Sequence, residues 1–267
     1  MKKVCIIIRI YNRVEDLGYC IDIIHDTWKL LDYYIIVVAN GSSNGFVVDN
    51  NIKDKADKFV DIKFNAGHYK GNAQLLQEAL PQIPEDCEYT VLLEADTWLY
   101  GDIIIKKYIE KLDAAGAVWA SSQFFSYALN LATDFAVVKS EFLKSHPGVI
   151  DFEGLAEYHV AHFLKKRGFT FIYMDEIKPV NLPKYIRWFP YAPAGRFNIF
   201  PKAKMVTHHT EELSGGMNQK KAYFNAIAGN DYFDIKIKKP AKNLIRGLSI
   251  AVAVSYIFPH KGWFIEK

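Results

Sequence analysis

Apolar and polar positions in the first half of the chain follow two alternating periods. Residues 4–8, 34–39 and 89–94 are short, nearly continuous runs of β-branched, aromatic and aliphatic side chains, the pattern of strands buried on both faces. A run at 61–64 reads as a further short strand, and residues 117–121 and 135–139 as two more. Between these runs the spacing becomes helical. Leu17, Ile21, Ile24, Trp28 and Leu31 recur every three or four residues and predict a helix over 14–31. Residues 71–80 predict a second helix stopped by Pro81, and residues 102–115 a third closed by Gly116. Strands of this kind alternating with helices predict an α/β fold, a mostly parallel Rossmann-like sheet covered on both faces. Such sheets bind ligands beyond the carboxyl ends of their strands. Polar clusters follow three of those ends: Asn12, the loop Asn40-Gly41-Ser42-Ser43-Asn44-Gly45, and Glu94 with Asp96. Their convergence on one crevice says more than any of them alone.

Composition narrows the class. With 267 residues, half of them hydrophobic and 15% aromatic, the chain can bury a full core, as one large domain or a domain with an appendage. A net charge of +3 is too mild to attract nucleic acid in bulk, and fits an anionic small molecule or an acidic membrane surface equally well. Cys5, Cys20 and Cys87 have neither paired nor metal-ligand spacing, and read as reduced, buried cysteines of a cytosolic protein. Lys2 and Lys3 before an apolar run superficially resemble a leader, but Arg9 interrupts the run, so the segment reads as the first strand. No stretch approaches the roughly 18 apolar residues of a membrane-spanning helix. The glycine patterns of dinucleotide-binding and P-loop proteins are both absent after the first strand.

Glu94-Ala95-Asp96 closes the apolar run that starts at Tyr89. Carboxylates at i and i+2 on a strand point to one face. The run holds no Lys or Arg to neutralise them, and unpaired acids at a buried strand end suit a bound divalent cation. The other reading is two solvated carboxylates where a strand meets a loop.

Six motifs in order over residues 4–210 resemble the family-two nucleotide-sugar glycosyltransferases with a GT-A fold. Ile8-Arg9-Ile10-Tyr11-Asn12-Arg13 is similar to that family's opening strand and loop. The stretch from Val37 to Gly45 is similar to its Val-Asp-Asn-Gly-Ser-Thr-Asp-Gly motif, with Ala39 in place of the acid. Asn65-Ala66-Gly67 with Gly71-Asn72 resembles the stretch that covers the nucleotide, and Glu94-Ala95-Asp96 the Asp-x-Asp metal motif. Ala156-Glu157 through Gly168-Phe169 resembles the helix that carries the catalytic base, with Ala156 in place of an acid, and Val206-Thr207-His208-His209 the histidine that completes the metal shell. The resemblance implies Mn²⁺ or Mg²⁺ held by Asp96 and His208. It implies a nucleoside-diphosphate sugar donor held by Ile10, Tyr11, Asn12, Arg13, Asn40, Ser42, Asn65, Gly67, Asn72, Glu94 and Ala95. It assigns the base to Glu157, with Glu153 in reserve. One base activating the acceptor hydroxyl implies inversion at the anomeric carbon. The acceptor class implied is a glycan or lipid-linked hydroxyl in surface-polysaccharide assembly, at the cytoplasmic face of the inner membrane.

Each residue has a plainer reading as well. Glu157 opens a helix, where an acid is favoured by the dipole. If His208 and His209 end a strand they face opposite ways, so one of them at most binds metal. His159 and His162 lie one helical turn apart and read as a surface feature or acceptor contacts. Asn12 and Asn40 are also ordinary turn residues. Residues 184–197 mix basic and aromatic side chains and fit sugar stacking or a loop packed on the sheet; no nucleic-acid module surrounds them. The expected organisation is a catalytic domain over 1–235, with a nucleotide-binding half at 1–120 and an acceptor-binding half at 121–235. A helical, basic and apolar extension follows over 236–267, suited to an anionic leaflet or to packing on the domain. The competing classes are a sugar-phosphate nucleotidyltransferase and a nucleotide- or carbohydrate-binding protein without turnover.

Overall fold

A computed structural model describes residues 2–123, 128–177, 197–208, 213 and 215–229. The chain divides into two units, Met1–Lys178 and Pro179–Lys267. The tail over 236–267, and the basic and aromatic segment apart from the buried Phe197, lie outside the described residues.

In the first unit, β1 (Lys3–Ile10) is the central strand, paired in parallel with β2 (Asp32–Ala39) on one side and β4 (Tyr89–Glu94) on the other. The short β3 (Lys58–Asp61) pairs in parallel outside β2. Beyond β4 lie β7 (Phe135–Lys139), β6 (Trp119–Ser121) and β8 (Phe171–Tyr173), completing a seven-stranded sheet in the order β3-β2-β1-β4-β7-β6-β8. Only β7 runs against the rest. The mostly parallel α/β sheet expected from the apolar runs is therefore present.

Side-chain alternation along β1 splits the core in two. Cys5 and Ile7 pack with Ile36 and Val38 of β2 against α3 (His68–Ala79) and α6 (Ala156–Lys166), through Leu76, Ala79, Val160 and Leu164. Val4, Ile6 and Ile8 point to the other face, and all are fully buried. Complete burial stabilises by about 1.5–3 kcal/mol for each large aliphatic side chain, enough to fix the register of the central strand. All three cysteines are buried and free, and burial pushes the Cys87 thiol up to about 11.

Several element boundaries differ from expectation, α3 beginning at His68 and β6 at Trp119, and two of the differences have a clear cause. Helix α1 (Val14–Thr27) ends before Leu31, because the buried Asp102 carboxylate accepts the backbone N–H groups of Lys29 (3.3 Å), Leu30 (2.8 Å) and Leu31 (2.9 Å). That draws residues 29–31 into a turn although Trp28 and Leu31 stay buried. Strand β3 ends at Asp61 instead of starting there, since Lys58–Asp61 is the segment that pairs with Ile36–Ala39. After β4 the chain forms β5 (Trp98–Leu99), which runs along α1 through Trp98 Nε1 to Asp16 O and Trp28 Nε1 to Leu99 O. It then enters α4 (Ile103–Ala115), capped by Gly116 as the sequence predicts.

The described part of the second unit holds an antiparallel pair, β9 (Asn198–Phe200) and β10 (Met205–Thr207), and the helix α7 (Gly216–Ala228). Lys204 Nζ donates to the carbonyl of Ala228 at 3.2 Å, tying the pair to the end of α7. Among the described residues, no helix is long and apolar enough to cross a membrane.

Candidate active site at the carboxyl edge of the sheet

The carboxyl ends of β1, β2, β3 and β4 lie at one edge of the first unit, and the loops that leave them are locked together. Asn40, fully buried after β2, donates from Nδ2 to the carbonyl of Gly71 at 2.9 Å. Its Oδ1 accepts from Asn65 Nδ2 at 3.2 Å, and Asn65 Oδ1 accepts from the backbone N–H of Gly67 at 2.6 Å. One chain of amides thus joins the β2 loop, the β3 loop and the first turn of α3. Two glycines permit this closeness. A Cβ on Gly71 would stand 2.7 Å from Asn65 Oδ1, and one on Gly41 would stand 1.9 Å from the carbonyl oxygen of Tyr11. Tyr11 is held against the same loop by an edge-on ring contact with Phe46 at 5.2 Å. Ser42 Oγ donates to Asp61 Oδ1 at 2.8 Å.

A second, charged cluster follows β1 and β4. Arg9 stands in register with Glu94 and is buried, with 1% of its side chain exposed. Its Nη1 donates to Asn72 Oδ1 at 2.7 Å, its Nη2 to the carbonyl of Thr133, and Nη2 lies 3.4 Å from Glu94 Oε1. Glu94 therefore does have a cation beside it: the neutralising charge comes from the neighbouring strand, where the apolar run alone could not reveal it. Asp96 is buried in the turn after β4, with Arg13 Nε 3.9 Å from its Oδ2. Asp134, just before β7, presents its carbonyl to the Glu94 N–H at 3.0 Å. Two carboxylates with two guanidinium groups fit a diphosphate and a hard divalent cation together, the acids offering oxygen ligands and the arginines contacting phosphate oxygens.

Glu157 is the second residue of α6 and half-buried, its carbonyl accepting from Leu131 N at 3.0 Å. Glu153 stands apart from it in exposure. It pairs with Lys70 of α3 at 2.7 Å, and that ammonium holds its carboxyl below the usual range. Beneath this bridge a groove of about 190 Å³ is lined by Ala73, Gln74, Gln77, Asp151 and Phe152. His159 Nε2 contacts the carbonyl of Gly148 and His162 Nδ1 that of Tyr158, both at 2.8 Å, so each serves the local fold. His208 belongs to the second unit, one residue past β10, with a left-handed backbone at φ 72°. Strand alternation therefore stops at Thr207 and does not order the two histidines; His209 lies outside the described residues.

Arg9, Asp61 and Asp134 are site residues that sequence reasoning missed. Arg9 carried a signal, as the one charge inside an otherwise apolar strand interior, since a buried charge requires a partner.

The fold is that of a known class. The chain superposes on the mannosyltransferase PcManGT from Pyrobaculum calidifontis, solved with GDP-Man and Mn²⁺, at a TM-score of 0.52 and 14% identity, covering 97% of this chain and 81% of that one. Lower TM-scores relate it to the catalytic domain of Drosophila β1,4-galactosyltransferase 7 (0.43; 13% identity; 67% of each chain) and to 4-diphosphocytidyl-2C-methyl-D-erythritol synthase from Anaerococcus prevotii (0.45; 12% identity; 65% of this chain and 86% of that one). No family model matches the sequence, and no curated protein matches it. The chain thus has a GT-A-type, Rossmann-like fold.

Proposed function

We propose that the chain is an inverting, metal-dependent glycosyltransferase that moves a sugar from a nucleoside-diphosphate sugar to a hydroxyl of a glycan or lipid-linked acceptor. The observation that carries this reading is the pairing of Arg9 with Glu94 and of Arg13 with Asp96 at the carboxyl edge of a GT-A-type sheet. PcManGT, of the same fold, binds GDP-Man and Mn²⁺, which supports a donor of that class here.

In this reading Asp96 and His208 hold Mn²⁺ or Mg²⁺, a carboxylate and imidazole set that suits Mn²⁺ well. When bound, the cation offsets the charge that gathers on the departing diphosphate. Arg13 faces the same charge, and Arg9 keeps the Glu94 carboxylate in one orientation. Tyr11, Asn12 and Ser42, with the backbone from Ile10 to Arg13 and around Ala95, line the nucleotide. Asn40, Asn65, Gly67 and Asn72 act beneath it by fixing the loops. Glu157 takes the proton of the acceptor hydroxyl, and direct attack with a single base inverts the anomeric carbon. Glu153 is the weaker candidate, because its ion pair with Lys70 depresses its basicity. The groove between α3 and the Asp151–Glu153 loop is the proposed acceptor entrance.

Nucleotide sugars incubated with Mn²⁺ should release nucleoside diphosphate, faster with the right acceptor. Glu157→Gln should lower that rate by about 10²-fold or more while leaving donor binding intact. Unchanged turnover in Glu157→Gln would remove Glu157 from the chemistry; no release from any nucleotide sugar would reject the transferase reading.

A further inference from the structure

The end of β2 carries no acid, because Ala39 occupies its last position; at the same level on the adjacent strand, β3 ends with Asp61. Asp61 is connected to the donor edge through a continuous set of contacts. Ser42 donates to its Oδ1 and Lys63 pairs with its Oδ2, while Gly41, next to Ser42, lies against the Tyr11 carbonyl. Its side chain keeps 27% of its surface open. Burial works to raise its pKa, but the bonds from Lys63 and Ser42 outweigh it and hold the group ionised, an acceptor only. Each oxygen has one lone-pair direction taken and one left, so the group can receive two parallel N–H donors. Two exposed aromatic side chains follow strand ends at this edge, Tyr11 (39% exposed) directly after β1 and Phe64 (71%) three residues after Asp61. Exposed aromatics and a carboxylate at one sheet edge are elements from which a nucleobase site is built.

We infer that Asp61 reads the base of the donor and selects guanine. This deepens the donor reading above and rests on it. The chemistry discriminates strongly. Guanine presents O6, N1–H and N2–H in a row: two adjacent donors for the carboxylate and one acceptor for the Lys63 ammonium, which pairs with that same carboxylate. Uracil offers a single N–H between two carbonyl oxygens, so the carboxylate gains one bond where guanine gives two. Cytosine and adenine each offer only the N–H groups of one exocyclic amine, beside a ring acceptor.

The test is calorimetric titration of the full chain with GDP, IDP, UDP, CDP and ADP at fixed Mn²⁺, on wild type, Asp61→Asn and Lys63→Met. GDP should bind at least about tenfold more tightly than UDP, CDP or ADP, the discrimination of one good bidentate contact. IDP, which lacks the N2 amine, should fall several-fold below GDP. Asp61→Asn should weaken GDP by about tenfold or more and leave UDP nearly unchanged, while Lys63→Met weakens GDP less. The inference is overturned if UDP, CDP or ADP equals GDP, if IDP equals GDP, or if Asp61→Asn weakens every nucleotide alike. Should that variant fail to fold, the wild-type ratios of GDP to IDP and UDP decide alone. Binding of no diphosphate at all, with or without metal, would instead overturn the donor reading itself.

Discussion

Two clusters share one sheet edge and are built on opposite principles. In the amide chain of Asn40, Asn65, Gly67 and Gly71, neutral groups bond to one another between loops, and Asn40 is fully buried. In the cluster of Arg9, Glu94, Arg13 and Asp96, the groups are charged, the ion pairs stand at 3.4 Å and 3.9 Å, and Glu94 keeps 27% of its side chain in water. Satisfied buried amides specify a geometry and have little left to offer a ligand. Carboxylates and guanidinium groups carry the charges that a cation and a diphosphate would answer. The first cluster is thus framework and the second is equipment, and the two meet at Asn72, which accepts from Arg9 one residue after Gly71.

The largest effect should come from the framework. Gly41→Ala places a methyl group 1.9 Å from the Tyr11 carbonyl, where only backbone movement can relieve it. Destabilisation of about 3 kcal/mol or more is expected in denaturant unfolding. A near-native midpoint would show that the β1 and β2 loops are not packed as described. Next comes Arg9→Met, which removes the cation beside half-buried Glu94 and the donor to Asn72. A loss of about 2–4 kcal/mol is expected, below the figure for a fully dry pair because Glu94 remains partly hydrated. The double variant Arg9→Met with Glu94→Gln gives the smallest effect, recovering about 1 kcal/mol or more of that loss. Strict additivity of the two changes would mean that the pair is not coupled.

The sequence made the sheet legible where apolar runs were long and bounded. Residues 89–94 and 135–139 are strands at those positions, and Gly116 caps its helix. The carboxyl-edge convergence of Asn40 with Glu94 and Asp96 was legible for the same reason, since loops after parallel strands must gather there. The pairing of Arg9 with Glu94 was not, because it depends on the register of two strands far apart in the chain. Asp61 was hidden by the weak apolar signal of Lys58-Phe59-Val60, which put the start of the strand at Asp61 and not its end. The early end of α1 was hidden because its cause, Asp102, acts from a distant loop.

The central claim is that the charged cluster receives a divalent cation together with a nucleoside diphosphate. It is tested most directly by titrating GDP and UDP into wild type and Asp96→Asn, each with Mn²⁺ and with EDTA, folding being checked by circular dichroism. The account predicts that Mn²⁺ tightens binding to wild type by about tenfold or more, and that Asp96→Asn folds normally but loses this metal dependence. Binding that ignores the metal in wild type, or metal dependence that survives in Asp96→Asn, would contradict it.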